Sequence, residues 1–156
     1  MTEASRILDC FAALRRALGG EVPAGGTESI SIAQLHALRA LDEADRTAGE
    51  LARAIVVSLP SLTQLVDGLV ERGYVARRTD PDDRRKVRLS ITVRGRDLYH
   101  RARQAAEARI DDLLQDLTPE QRTALVEGLE ALHSAIHAQW RAGQGRSVTA
   151  AAVRAG

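Results

Sequence analysis

The residues best suited to chemistry are concentrated in one short stretch, TDPDDRRKVRLSIT, which runs from Thr79 to Thr92. In it, a DPDD turn signal is followed at once by three consecutive cations. Cations at the tip of a turn can contact the phosphates of a nucleic acid, whereas an ordinary solvated turn is the competing interpretation. We favour phosphate contact for the cations of this stretch and of the segment just before it: Arg78, Arg84, Arg85 and Lys86.

The aspartates of this stretch need a different role, because carboxylates that faced phosphates would weaken binding. We therefore expect Asp83, with Asp80 as a second candidate, to pair with a nearby arginine and to hold the turn in shape. The candidate partners are Arg77, Arg78 and Arg85.

The distribution of charge indicates an anionic partner more clearly than the total charge does. The 156-residue chain has a net charge of only +1. Between Glu71 and Arg96, however, nine Arg and Lys residues stand against four acids. Such a local surplus on a nearly neutral protein is typical of a surface that faces phosphates.

Other kinds of chemistry have little support in the sequence. We find no Gly-rich phosphate loop, nucleophile elbow or clustered acid–base pair, so we expect neither an enzyme nor a cofactor site. His133 and His137 have an i, i+4 spacing that is compatible with metal binding, but zinc sites use three or four ligands. No third ligand lies nearby in the sequence, and His36 or His100 could approach only through the fold. We therefore favour satisfied or exposed histidines and predict no metal site.

The compartment can be predicted from the single cysteine and the apolar runs. Cys10 alone excludes an intrachain disulfide and favours a reducing compartment. No apolar run is long enough to span a bilayer, and the N-terminus lacks the layout of a signal peptide. We therefore expect a cytoplasmic protein without membrane contact.

Helical periodicity and capping signals divide the chain into six predicted helices. The first covers residues 5–18, and the segment GGEVPAGG ends it. Capping boxes, in which two side chains three residues apart satisfy each other's backbone groups, open the second, third and last helices. The pairs are Ser31–Gln34, Thr47–Glu50 and Thr118–Gln121. Ser58 caps a fourth helix over 58–72 that Gly73 ends, and Thr92 caps the fifth.

Between the fourth and fifth helices the hydrophobic period changes from 3.6 to 2, which predicts a β-hairpin. The segments YVARRT and KVRLSI form its strands, and DPDD forms the turn. Val87, Leu89 and Ile91 share one face of the second strand, and we expect that face to pack on the core.

Two short helices followed by a charged hairpin predict a winged helix-turn-helix, within a fold that is mainly α with a small β-hairpin wing. The second of these helices would enter the major groove of DNA, where its exposed first turns reach the base edges. Small polar side chains and a glutamine, which can pair with adenine, suit such a face. The residues of this helix predicted to contact DNA are Ser58, Pro60, Ser61, Thr63 and Gln64.

The run from Leu51 to Gly95 resembles the DNA-binding lobe of the multiple-antibiotic-resistance regulator (MarR) family. The family's wing signature is DPxDRR, followed after a strand by a Leu-Thr pair and a Gly. Its positions read here as Asp80, Pro81, Asp83, Arg84 and Arg85, then Ile91 in place of Leu, Thr92 and Gly95. By helix order the resemblance extends over about residues 5–141.

The resemblance implies a homodimeric transcription regulator, most often a repressor, that binds a palindromic operator in double-stranded DNA and is released by a small-molecule effector. It implies a single domain over residues 1–142, with a DNA-binding lobe at about 31–95, dimerisation helices at about 5–18 and 93–141, and a flexible tail over 143–156. An effector crevice would lie between these helices and the lobe. The apolar residues expected to form the dimer are Ile7, Phe11, Leu14, Leu125, Leu129, Leu132 and Ile136.

Two alternatives stay open at this point. Cys10 lies beside Phe11, loosely as in the peroxide-sensing branch of the family, although the stretch SISIAQL lacks the tyrosines of that branch. Thiol-based redox sensing therefore competes with a small buried or interfacial role for Cys10. The second alternative is a helical ligand-binding dimer that does not bind DNA, and only DNA binding that weakens steeply with salt would separate it from a regulator.

Overall fold

The computed structural model describes residues 1–143, and six helices and five short strands lie within them. In chain order they are α1 (Glu3–Leu18), β1 (Glu21–Pro23), β2 (Ser29–Ser31), α2 (Ile32–Glu43), β3 (Arg46–Thr47), α3 (Ala48–Ala54), α4 (Leu59–Glu71), β4 (Val75–Thr79), β5 (Val87–Ile91), α5 (Val93–Leu114) and α6 (Pro119–Ala142). The mainly helical fold with a small wing is thus confirmed. The tail predicted over 143–156 lies outside the described residues from position 144 onward.

The predicted starts of the last five helices are confirmed by their capping contacts, whereas α1 begins at Glu3, with Thr2 as its cap, and not at residue 5. Complete capping boxes open α2, α3 and α6, at the three pairs named above. Ser58 accepts a hydrogen bond from the backbone N–H of Ser61, and Thr92 accepts one from that of Gly95. Each cap satisfies an N–H group that has no partner inside its helix, so these residues fix where the helices begin.

Strands β3, β5 and β4 form a three-stranded antiparallel sheet in that order. The hairpin β4–β5 was predicted, but the two-residue β3 and the separate β1–β2 hairpin were not. The β1–β2 hairpin occupies the Gly-rich segment after α1, where the bond from Ala24 N–H to the Glu28 carbonyl closes the turn. Its strands have only three residues each, too few for an alternating pattern to be visible in the sequence.

The core lies where α2, α3, α4 and α5 meet the wing sheet. Its largest fully buried side chains come from β2, from the connection before β4 and from all four helices: Tyr74, Ile30, Leu38, Leu41, Leu51, Leu62, Leu69 and Leu98. Leu62, Val66 and Leu69 form the inward stripe of α4 at helical spacing. The opposite side of α4 therefore faces solvent, while the buried side packs on the core.

Gly95 allows the start of α5 to lie directly against the base of the wing. A Cβ atom at this position would stand 2.0 Å from the carbonyl oxygen of Tyr74. That same carbonyl accepts a 3.0 Å hydrogen bond from the Thr92 N–H. A glycine is required here by close approach, and this explains the glycine at the end of the wing signature.

Helices α1 and α6 leave their apolar sides uncovered. Against the rest of residues 1–143, neither helix buries a single side chain. The exposed large apolar residues include Ile7, Phe11, Leu125, Leu129, Leu132 and Ile136, whereas Leu14 is half-buried. No single helix in the described part of the chain is long and apolar enough to cross a membrane. Within that part, only α3 and α4 taken as a pair meet the length and composition of a span, and a bend of 105° separates them.

Candidate nucleic-acid interface

The exposed surface of α4 begins with a hydroxyl-rich first turn. The Ser58 and Ser61 hydroxyls lie 2.8 Å apart and share a hydrogen bond. Thr63 donates its hydroxyl hydrogen to the Leu59 carbonyl at 3.0 Å, and Gln64 lies beside it on the helix. Pro60, Ser61, Thr63 and Gln64 are exposed and Ser58 is half-buried. The five predicted residues of this helix thus lie together on one outward surface.

The turn between α3 and α4 has an unusual backbone conformation. Val56 has φ of 57°, in the left-handed region that β-branched residues rarely adopt. The Val57 N–H donates to the Ala52 carbonyl at 3.0 Å, which closes the end of α3 around Val56. Glycine normally marks such a position, so the sequence contained no signal for it.

Asp80 organises the wing turn, although its cationic partner differs from the prediction. Its side chain is 5% exposed and accepts hydrogen bonds from the backbone N–H groups of Asp82 and Asp83. The arginine that pairs with it is Arg88, at 2.5 Å, and not Arg77, Arg78 or Arg85. The hairpin register explains the difference, because Thr79 pairs with Val87 and Asp80 follows one step beyond. Arg88 therefore lies within reach of Asp80.

The Asp80–Arg88 pair also fastens the wing to the lobe. The Arg88 hydrogen bond lowers the pKa of the Asp80 carboxyl below its ordinary value, and the backbone N–H of Asp82 adds to this effect. Arg88 also donates through Nη1 to the Asp45 carbonyl at 3.1 Å. Since Asp45 precedes β3, the wing is held from its own turn to the far edge of the sheet.

Asp83 pairs with Arg85, one of its candidate partners. Its carboxylate accepts from the backbone N–H of Arg85 at 3.1 Å and from the Arg85 Nε at 3.2 Å. Lys86 lies 3.7 Å from the same carboxylate. The Arg85 side chain is nevertheless 92% exposed, and Arg84 is exposed beside it. The aspartate thus holds the chain while the cations extend into solvent.

The strands of the wing differ from the prediction at two positions. Arg77 pairs with Asp67 of α4 at 2.5 Å, not with the acids of the turn. Arg77 thus joins the wing to the helix and does not shape the tip, while Arg78 is exposed opposite Arg88. Val87 was expected to pack on the core but is 52% exposed. The hairpin extends beyond the core at this point, so only Leu89 and Ile91 of that strand find apolar partners.

Comparison with known proteins identifies the lobe that carries this surface. The sequence profile of the MarR family matches residues 29–86, from β2 to the wing turn. An uncharacterised HTH-type transcriptional regulator of Mycobacterium leprae is 34% identical over 97 residues, which are 62% of this chain and 68% of the relative. The chain belongs to the MarR family. It is therefore a DNA-binding transcription regulator, and its family is not a class of enzymes.

Solved structures of MarR-type regulators have the same fold. The transcriptional repressor CouR, bound to a 23-mer DNA duplex, is 26% identical with a TM-score of 0.67, over 83% of this chain and 88% of CouR. BpsR of Bordetella bronchiseptica, whose DNA binding is regulated by 6-hydroxynicotinic acid, is 22% identical with a TM-score of 0.70, over 85% of this chain and 99% of BpsR. These similarities confirm the winged-helix architecture, and the family membership removes the alternative of a helical dimer that does not bind DNA.

In this MarR-family chain, a cluster centred on Glu28 joins the lobe to α5, and it was missed in the sequence. Glu28 accepts hydrogen bonds from the Tyr74 hydroxyl at 2.6 Å, from Arg94 at 3.1 Å and from Arg101 at 2.8 Å. The Tyr74 and Arg94 hydrogen bonds lower the pKa of the Glu28 carboxyl. The guanidinium groups of Arg72 and Arg94 lie 4.9 and 5.0 Å from the centre of the Tyr74 ring. The start of the wing and the start of α5 thus meet at one carboxylate.

A crevice lies between α2 of the lobe and α5. Its cavity has a volume of about 470 Å³ and combines apolar with charged side chains. Leu35, Tyr99 and Ile110 line the apolar part. Arg103 also lines the cavity, and its guanidinium donates hydrogen bonds to Glu107 at 2.7 Å and to the Tyr99 hydroxyl at 3.1 Å. The hydrogen bond to Glu107, and to a smaller extent that to Tyr99, raises the pKa of Arg103 above its ordinary value.

The remaining candidates for chemistry are two histidines of α6 and the single cysteine. The His133 and His137 rings lie with their centres 4.4 Å apart and their planes tilted by 55°. Within residues 1–143, no group of three or more His, Cys, Asp or Glu side chains is arranged to hold a metal ion. Cys10 is a free, exposed thiol on α1. Within these residues, burial therefore does not account for Cys10, and metal binding does not account for the two histidines.

Proposed function

We propose that this protein is a homodimeric repressor that binds a palindromic operator and is released by a small-molecule effector. The uncovered apolar sides of α1 and α6 are the observation that supports the dimer best. Leu125, Leu129 and Ile136 are between 42% and 44% exposed along one helix, and Ile7 is 49% exposed on the other. Contiguous apolar surface of this kind is typical of an interface, because a monomer gains nothing by exposing it.

Helix α4 and the wing of the lobe would contact different parts of the operator. We propose that α4 enters the major groove and that Gln64 pairs with a base edge there, while Ser58 and Ser61 position the helix on the backbone. The wing cations Arg78, Arg84, Arg85 and Lys86 then contact the phosphates or minor groove beside it. Two-fold symmetry places the two half-sites about one helical turn, roughly 10 base pairs, apart.

The crevice between α2 and α5 is our proposed effector site. Its volume of about 470 Å³ suits a small organic molecule. BpsR, a protein of the same fold, responds to 6-hydroxynicotinic acid, which supports a small-molecule effector for this chain as well. An effector would act by binding more tightly to a dimer whose lobes do not match the operator spacing than to one whose lobes do.

Footprinting on the DNA that flanks its own gene would test the proposal directly. We expect a protected palindrome, with binding that weakens steeply as salt concentration rises because contacted phosphates release counterions. Protection without two-fold symmetry, or binding indifferent to sequence, would contradict a dimeric operator-specific regulator.

The same footprint, repeated with a panel of small phenolic and lipophilic acids, would identify the effector. We expect one class of acid to release the DNA, and Ala106→Leu, which narrows the crevice, to abolish release while leaving the footprint intact. Release that persists in Ala106→Leu would place the effector elsewhere. Unchanged release of DNA from Cys10→Ser under hydroperoxide would exclude the redox alternative.

A further inference from the structure

Leu59 stands out on the DNA-facing helix because it is a large apolar side chain turned to solvent. It is the first residue of α4 and is 52% exposed, whereas Leu62, Val66 and Leu69 of the same helix are buried. Folding of the lobe therefore does not account for a leucine at this position. Single exposed leucines are common on protein surfaces, so the argument depends on what surrounds this one.

The hydroxyl groups next to Leu59 are already engaged within the helix. Ser58 and Ser61 bond to each other, and the Ser58 oxygen also caps the Ser61 N–H. Thr63, one turn after Leu59, gives its hydroxyl hydrogen to the Leu59 carbonyl. The start of α4 thus presents an exposed apolar side chain, Leu59, among hydroxyl groups that already have partners, and the exposed Gln64 amide follows in the next turn.

An exposed apolar side chain and an exposed amide on one helix both match an A·T pair better than a G·C pair. In the major groove thymine presents its C5-methyl group, and its partner adenine presents N7 and the N6 amino group. A glutamine amide pairs with those two adenine groups, and an apolar side chain packs on the methyl. Neither guanine nor cytosine offers a methyl group for Leu59 to cover.

We propose that Leu59 is a specificity-determining residue that packs on a thymine methyl group in each half-site of the operator. This inference rests on the proposed function, because it requires α4 to lie in the major groove. It adds the class of sequence recognised: each half-site contains an A·T pair whose thymine methyl group is read by Leu59.

Duplexes that contain deoxyuridine test the proposal, since uracil differs from thymine only by the missing methyl. A 23-base-pair duplex would first be selected by the wild-type protein from a random pool. Each thymine would then be replaced by deoxyuridine, first in one half-site alone and then at the symmetric positions of both half-sites. We expect one position at which the substitution weakens binding about fourfold in a single half-site and about fifteenfold in both, the value of one buried methyl group each.

Variants of Leu59 assign the effect to that side chain. Leu59→Ala should bind the thymine and deoxyuridine duplexes equally, Leu59→Met should keep the preference, and the control Val93→Ala, at a residue 75% exposed on α5, should behave as the wild type. Equal binding of both duplexes by the wild type would overturn the proposal, as would a preference that survives in Leu59→Ala. Failure to select any sequence would instead refute the proposed function, and the selection step alone would reveal it.

Discussion

Replacement of Gly95 by alanine would place a methyl group where the Tyr74 carbonyl oxygen already lies. The two atoms would be 2.0 Å apart, and ordinary contact begins at 3.4 Å, so α5 and the base of the wing would have to separate by about 1.4 Å. The same movement would break the 3.0 Å hydrogen bond from the Thr92 N–H to that carbonyl. The substitution therefore damages the junction between the DNA-binding lobe and α5.

The cost can be worked out from these two effects. Overpacking of a well-packed site costs about 1–3 kcal/mol, and the lost hydrogen bond adds about 1 kcal/mol. We therefore expect Gly95→Ala to lower the free energy of unfolding by about 2–4 kcal/mol. For a chain of this size, each kcal/mol lowers the melting temperature by about 2–4 °C, so a decrease of roughly 5–15 °C follows.

Thermal unfolding followed by circular dichroism, at one fixed protein concentration, would measure the effect. Gly49→Ala is a matched control, because a Cβ at Gly49 of α3 meets no atom within 4 Å. Alanine is the better helix former, so this control should melt at the wild-type temperature or slightly above it. A melting temperature of Gly95→Ala equal to that of the wild type would refute the close approach of Gly95 to Tyr74.

Three further predictions concern the wing and the dimer. Arg85→Ala should weaken operator binding and reduce the slope of log K against log salt by about 1.8, because each of the two chains of the proposed dimer loses one phosphate contact, whereas Arg15→Ala on α1 should leave the slope unchanged; equal slopes would contradict phosphate contact by Arg85. Asp80→Ala should remove the hydrogen-exchange protection of the Asp82 and Asp83 amides. Because the pKa of Asp80 is lower in the folded chain, wild-type protection should be complete above the ordinary value of 3.8 and be lost only as pH falls through the lower folded value; protection already lost near neutral pH would argue against this role. Leu129→Glu should reduce the mass in sedimentation from two chains to one chain of 16.9 kDa, while Glu130→Ala should not, and an unchanged mass for Leu129→Glu would argue against α6 as the interface.

The sequence predicted those features whose physics is local. Capping contacts such as Ser31 with Gln34 join residues three positions apart, so residue type and spacing are enough to identify them. The inward stripe of α4 could be predicted for the same reason, because helical periodicity fixes which residues share a face. The candidate surface on α4 and the wing therefore followed from short-range patterns.

Contacts between distant parts of the chain could not be predicted in this way. Glu28 meets Tyr74, Arg94 and Arg101 across 46, 66 and 73 residues, and nothing in the segment around Glu28 marks it as a junction. The partner predicted for Asp80 was wrong because proximity in sequence favoured Arg77, Arg78 or Arg85. Strand pairing brings Arg88 to Asp80 instead. The prediction that Val87 packs on the core was also wrong. Alternation of apolar residues predicts which face of a strand is buried, but not how far along the strand the core extends.

The short connection between α4 and the wing has a consequence for the evolution of operators. Only residues 72–74 separate α4 from β4, Tyr74 among them is fully buried, and Asp67 and Arg77 bridge the two elements. Helix α4, which we propose reads the major groove, and the wing tip therefore move as one piece. One base pair inserted between their contact points would shift the flanking DNA by about 3.4 Å and turn it by roughly a tenth of a helical turn. Functional operators should thus vary in base sequence at the flank but keep a constant number of base pairs between the core and the flank of each half-site.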